Sequence, residues 1–225
     1  IMDSENLLKT KLFKNLNDNE FQILARNLGF YKHKFKKGEN ILRTGETINS
    51  FGLVISGSVN IEYNDIFGNT NIIGNADSGQ VFAEAYSCLP EEPLMVSVSA
   101  AEDCEILFIS TKNIFSGIIG DYDVYRKFIS NLIAVLAGKN IGLSRKINDI
   151  TPKTIRERLI SYLSSQAVKQ ESNYITIPFN RQQLADYLCV DRSAMSNELS
   201  KMRRDGLLTF DRNMFKLNLS AFMDK

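Results

Sequence analysis

From Tyr122 to Ile150 the apolar residues Phe128, Leu132, Val135 or Leu136, Leu143, Ile147 and Ile150 recur at steps of three, four or seven, the spacing of one face of a long helix. About 28 residues in this form run roughly 42 Å, more than one compact domain covers. Part of the helix therefore needs a partner, most economically a second copy of the chain across a two-fold axis. Gly138 and Gly142 lie one turn apart within it. Each weakens the helix by about 1 kcal/mol relative to alanine, while leaving room for a backbone or a ligand to approach; otherwise they are tolerated surface positions.

The texture differs on the two sides of this helix. Residues 4 to 28 place Leu8, Leu12, Phe13, Leu16, Phe21, Leu24 and Leu28 at helical spacing, which predicts short helices. From Gly38 to Gly79 seven glycines punctuate short β-branched and aromatic runs such as Leu53-Val54-Ile55 and Val59-Asn60-Ile61. Glycine at that density serves tight turns between short strands. Asp65 to Asn69 reads as a hairpin turn, and Val96-Ser97-Val98 and Ile106 to Ile109 supply later strands. The expectation is a β-roll of roughly eight strands, followed by a short helix over Asn113 to Ile119.

After the long helix, Thr151-Pro152 reads as the cap and first position of a new helix, with Leu159, Ile160 and Leu163 on its apolar face. Tyr174 to Phe179 reads as a short strand. Asn180 with Gln183 makes a capping box for a helix running from Arg181 to Leu188. Cys189-Val190 is a tight turn, and Asp191 caps a second helix reaching about Arg204, which Met195, Leu199 and Met202 anchor inward and Gly206 terminates. Two strands, Leu207 to Phe210 and Phe215 to Leu219, follow around a turn at Asp211-Arg212-Asn213. Together these are a winged helix-turn-helix.

The expected fold class is α+β, with a β-roll effector domain at 1–120, a long dimerisation helix at 121–150 and a winged helix-turn-helix at 151–225. The outward face of the second helix carries Arg192, Ser193, Ser196, Asn197 and Ser200, with no acid among them. Arginine pairs with guanine and asparagine with adenine in the major groove, so these residues are candidates for reading DNA. Arg203, Arg204 and Arg212 are candidates for phosphates, which position without specifying, and Arg181 is a further DNA-binding candidate. A solvated polar face is the alternative for each residue alone; the complete strand-helix-turn-helix-wing context favours DNA. Charge agrees, since Lys+Arg against Asp+Glu is 15 to 18 over residues 1–150 and 12 to 8 over 151–225.

Other classes lack their chemistry. Cys88, Cys104 and Cys189 have no metal-ligand spacing and read as buried thiols of a reducing cytoplasm, and one chain cannot supply four cysteines to an iron-sulfur cluster. The one histidine, His33, among Lys32 to Lys37, is too little for a cupin-type metal site and reads as an exposed strand residue. No catalytic triad, phosphate loop or metal cluster is present, so no enzyme and no cofactor are expected. Neither a run of 18 apolar residues nor a signal-peptide core at the start is found, so a cytoplasmic protein is expected.

The order of modules, with FGLVISGSVNIEY in the roll and RQQLADYLCVDRSAMSNELSKMRRDGLL near the end, resembles the CRP-FNR family of regulators, named for the cyclic-AMP receptor protein and the fumarate-nitrate regulator. The likeness covers nearly the whole chain. It implies a homodimer through the long helix, a palindromic double-stranded DNA site, RNA polymerase as a partner, and a signal received at the roll. Arg192, Ser193, Ser196 and Asn197 match the family's base-contacting positions, although arginine is frequent where Asn197 stands, and the family's turn glycine is Cys189 here. Cyclic-nucleotide members carry Gly-Glu and, ten residues after the Glu, the Arg-Ser that binds the cyclic phosphate. Here Ala83-Glu84 is followed at that distance by Leu94-Met95, so the guanidinium fork is missing and cyclic AMP is disfavoured as effector. Leu143 and Ser144 fall where the family's long helix reaches over the pocket; together with Glu84, Leu94 and Met95 they are the candidates for an unidentified effector. Glu84 could equally be a structural carboxylate. A regulatory subunit that uses the roll on a protein partner is the alternative, and it leaves the winged helix unexplained.

Overall fold

A computed structural model describes residues 4–64, 70–89, 91–116 and 121–218. The chain divides into two compact units, 1–137 and 138–225. The division falls within the long helix, not at Thr151.

In the first unit, 3-10 turns at Leu7–Lys9 and Lys11–Phe13 precede helix α1 (Asp18–Asn27). Asn17 accepts from the Glu20 N–H while the Glu20 carboxylate accepts from the Asn17 N–H, satisfying two otherwise orphaned donors. Eight strands follow: β1 (Tyr31–Phe35), β2 (Asn40–Leu42), β3 (Ser50–Ser56), β4 (Ser58–Asn64), β5 (Thr70–Asp77), β6 (Val81–Phe82), β7 (Ser97–Ala100) and β8 (Cys104–Ser110). They form two antiparallel sheets in the orders β1-β8-β3-β6 and β2-β7-β4-β5. The expected hairpin turn at Asp65–Asn69 lies outside the described residues, though the flanking strands pair with Asn64 opposite Thr70.

Within the first sheet β3 and β8 are buried on both faces, which is why they read as continuous apolar runs and not as alternating ones. Val54, Ile106 and Phe108 face the roll interior with Val59 and Val98 of the second sheet. Phe51, Leu53, Leu107 and Ile109 face the other way, into a core shared with Phe13, Phe21 and Phe128. Gly52 lets the Phe82 ring cross β3, since a Cβ there would lie 2.2 Å from its Cζ.

Short helices α2 (Glu84–Cys88) and α3 (Thr111–Phe115) flank the roll, and α3 is the helix expected from Asn113 onward; residues 117–120 lie outside the description. Helix α4 then spans Tyr122–Ile150. Its apolar stripe, read from the sequence as one, is two. Val124, Phe128 and Leu132 are buried against the roll, whereas Ile133, Leu143 and Ile147 stay more than half exposed. At 3.6 residues per turn the two sets sit about a quarter turn apart. Gly138 and Gly142 face open space, with nothing within 4 Å of a Cβ at either.

In the second unit, α5 runs over Ile155–Gln170. The cap is Thr154, not Thr151: the Thr154 hydroxyl and the Glu157 carboxylate complete a capping box, whereas Thr151 donates back to the Ile147 carbonyl at 2.7 Å and closes α4. Proline disfavours helix at the residue before it, so the two helices separate at Pro152. Strand β9 (Tyr174–Thr176) is shorter than expected and stops ahead of Pro178. Helices α6 (Arg181–Tyr187) and α7 (Arg192–Arg204) and strands β10 (Leu208–Asp211) and β11 (Met214–Leu217) follow. The last two form the wing, and β9 joins it in the order β10-β11-β9. Leu159, Leu163, Leu184, Leu199, Met202 and Phe215 meet in one core.

Candidate nucleic-acid interface

Both helices of the helix-turn-helix start on side-chain caps and stop on backbone turns. Asn180 and Gln183 complete the expected capping box on α6, and the Asp191 carboxylate accepts from the Ala194 N–H at 2.8 Å to cap α7. Hydrogen bonds from Ser193 and from the Ala194 backbone hold the Asp191 carboxyl below its usual range. The turn after α6 is a Schellman motif: Cys189 N–H bonds to Asp186 C=O and Val190 N–H to Ala185 C=O. Its left-handed residue is Cys189, at φ +53°, and α7 ends in the same motif with Gly206 at φ +72°. A side chain in that conformation costs about 1–2 kcal/mol. Replacing Cys189 by glycine should raise the unfolding free energy of this unit by about 1 kcal/mol; equal or lower stability in denaturant titration would show that the turn carries no strain.

Two arginines that sequence reading missed hold the motif. Arg158 donates to the carbonyls of Leu188 at 3.0 Å and Cys189 at 3.2 Å, satisfying the end of α6 in the turn itself, and to Pro152 O at 2.8 Å. Arg156 bridges Glu198 at 2.5 Å and Asp205 at 2.8 Å, pinning α7 at its middle and its end. No local pattern marks either residue, because the partners lie far along the chain. Asp149, buried at the end of α4, accepts from Ser161 Oγ at 3.1 Å and Tyr187 Oη at 2.9 Å, joining α4, α5 and α6. An anion at a helix C-terminus opposes the helix dipole, and the two hydroxyl donors offset that. Burial, and then the bond to Asp149, push the Tyr187 phenol well above its usual range, so it stays a donor. Burial and Asp149 likewise push Tyr162 up to about 12.

With Met195, Leu199 and Met202 fully buried, α7 turns Arg192, Ser193 and Asn197 outward. Ser196 is half-buried; Ser193 Oγ donates to the Asp191 carboxylate at 2.5 Å, and Ser200 Oγ donates to the Ser196 carbonyl. Arg203, Arg204 and Arg212 are exposed, the last in the wing turn. Arg181 differs. Its guanidinium lies 4.8 Å from the Phe210 ring and 5.0 Å from Phe215, with Nη1 buried and unpartnered. Burial lowers its pKa from the usual arginine value. It still lines an open groove of about 730 Å³ with Asn180, Gln182, Arg192 and Arg212.

The roll candidates are differently placed. Glu84 is buried at the first position of α2, behind Ala83 in the left-handed conformation at φ +61°. Leu94 is buried and exchanges backbone bonds with Gly45 and Glu46, while Met95 is 67% exposed. In the second unit Leu143 and Ser144 are exposed on α4. Of the cysteines read as buried, Cys104 is buried, Cys88 half-buried and Cys189 exposed, because a left-handed turn residue directs its side chain away from the core. His33 is exposed on β1, 4.5 Å from the Phe35 ring. Among the described residues no helix is long and apolar enough to cross a membrane.

Comparison with known proteins agrees with this geometry. A family model described as a cyclic nucleotide-binding domain matches residues 32–118, and one described as a Crp-like helix-turn-helix domain matches residues 157–223. No curated protein matches the chain. Among solved structures, CprK complexed with OCPA is 17% identical, with 92% of each chain covered and a TM-score of 0.63. A CooA mutant from Carboxydothermus hydrogenoformans is 18% identical over 99% of this chain and 95% of that one, at 0.59. The c-di-GMP responsive global regulator CLP of Xanthomonas campestris is 19% identical over 89% and 99%, at 0.54. At these identities the structures share the fold. With a cyclic nucleotide-binding domain, a long helix and a Crp-like helix-turn-helix in that order, the chain belongs to the CRP-FNR family of transcription regulators.

Proposed function

We propose that the protein is a homodimeric, cytoplasmic, sequence-specific DNA-binding regulator that works with RNA polymerase at palindromic sites and catalyses nothing itself. The observation that carries this reading is the outward face of α7, where Arg192 and Asn197 stand exposed opposite the buried Met195, Leu199 and Met202. Arg192, Ser193, Ser196 and Asn197 read bases, and Arg203, Arg204 and Arg212 meet phosphates. Arg181 reaches the same groove from beneath the wing. The long helix pairs two copies so that two such faces meet successive major grooves.

The roll receives an effector other than cyclic AMP. Leu94 and Met95, one buried and one exposed, stand where a cyclic phosphate would need a guanidinium, and neither carries charge. Glu84, Leu94 and Met95 remain its candidate surroundings within the roll. One protein of the same fold is complexed with OCPA and another is responsive to c-di-GMP, which supports a fold that serves unlike effectors.

Binding to promoter fragments, measured against salt, tests the proposal. Neutralising six to ten phosphates per dimer makes affinity fall about 10³- to 10⁵-fold between 50 and 200 mM salt. Salt-insensitive or absent binding would sink it.

A further inference from the structure

Two of the proposed DNA-binding arginines share one ring. The guanidinium of Arg181, at the first position of α6, lies 4.8 Å from the centroid of Phe210, and that of Arg203, in the last turn of α7, lies 5.2 Å from it. Phe215, opposite Phe210 in the wing hairpin, adds a second ring 5.0 Å from Arg181. Among the described residues neither arginine makes an ion pair, and Arg181 Nη1 is buried with no acceptor. The nearby acids are engaged or turned away. Glu198 and Asp205 are held by Arg156, and Asp211 alternates onto the opposite face of β10 from Phe210. The groove that Arg181 lines contains arginines and amides but no acid. Gathering like charges at one ring with a donor left unmade is costly for the free protein, and cation–π attraction offsets only part of that.

We infer that Phe210 is a positioning residue for DNA binding, its ring serving as the shelf that holds Arg181 and Arg203 ready for backbone phosphates. The inference rests on the DNA binding proposed above and adds the residue that orders its phosphate contacts. Stacking occupies the flat face of a guanidinium and leaves N–H donors in its plane for an anion. A side chain ordered on folding does not have to be immobilised again on association, which raises affinity without any new contact. A phosphate then supplies the counter-charge that the fold withholds. Packing alone does not ask for an aromatic here. Phe210 is only half-buried, whereas Phe215 is 2% exposed and belongs to the core, and the other buried wing positions, Leu208 and Leu217, are aliphatic.

Phosphate contacts ignore sequence, so a DNA duplex of mixed sequence at low salt is the probe, and the full-length protein is used throughout. Phe210→Leu should weaken binding about 2- to 12-fold for each arginine released, and Phe210→Tyr, which keeps a ring, should bind like the unaltered protein. Arg203→Lys keeps the charge without the planar stack and leaves the core untouched. It should weaken binding by a similar factor, which keeps the test open if Phe210→Leu unfolds the unit. With Arg181→Gln and Arg203→Gln already in place, Phe210→Leu should have no further effect. A ring that only supports the wing gives the opposite result, equal weakening with and without the two arginines. That result, or full affinity in Phe210→Leu or Arg203→Lys, would overturn the inference and leave DNA binding standing. No binding by the unaltered protein would overturn the DNA-binding proposal and this inference with it.

Discussion

Truncation of Leu199 to alanine is expected to cost about 2–5 kcal/mol, the loss seen when a fully buried leucine leaves a cavity. Leu199 is 0% exposed at the middle of α7, in the core it shares with Leu159, Leu184, Met202 and Phe215. The helix cannot collapse into the space, because Arg156 holds it through Glu198 and Asp205 and the Asp191 cap fixes its start. For a unit of this size each kcal/mol lowers the midpoint by about 4–8 °C, so the winged helix should melt well below the same unit with Leu199 in place. Denaturant unfolding of both proteins decides it. A loss under about 1 kcal/mol would show that the site repacks and that the core is looser than its burial indicates.

Removal of Arg192 is expected to act on binding and leave folding alone. The side chain is exposed at the first position of α7. A bidentate pair with guanine discriminates by about 1–3 kcal/mol, so Arg192→Ala should weaken the best site about 5- to 150-fold and relax the preference at one base pair per half-site. A selection experiment on randomised half-sites gives both numbers. Uniform weakening across sequences, with the salt slope reduced by about one for each arginine removed, would move the residue to a phosphate. Unchanged binding would remove it from the interface.

The helix-turn-helix was legible in the sequence because its signals are local. Asn180 with Gln183, Asp191 with Ala194 and the Met195-Leu199-Met202 spacing all act within one or two turns, and the structure bears them out. The roll was legible as short apolar runs punctuated by glycines, and eight strands are found there among the described residues. The start of α5 was misplaced for an equally local reason. Thr151-Pro152 imitates a helix start, whereas Thr154 with Glu157 makes both bonds of the cap. What resisted reading was long-range. Arg156 and Arg158 sit on α5 like ordinary surface residues, and only the fold brings Glu198 and the turn carbonyls to them. The two stripes of α4 blended into one because periodicity records that a face is apolar, not which neighbour covers it. Ala83 and Cys189 show a subtler limit. The family places glycine at these positions, and the chain keeps the left-handed backbone with a side chain present, so composition understates the turns.

The carboxylate of Asp149 makes the end of α4 a shaft and not a tether. It grips α5 through Ser161 and α6 through Tyr187 from one point on the last helical turn. Each residue of an α-helix subtends about 100°, so even a small rotation of residues 138–150 about their own axis swings the Asp149 side chain through an arc. Tyr187 and the capped turn behind it must follow or let go. Two hydroxyl groups thus tie the helix-turn-helix to the angle of the last turn of α4.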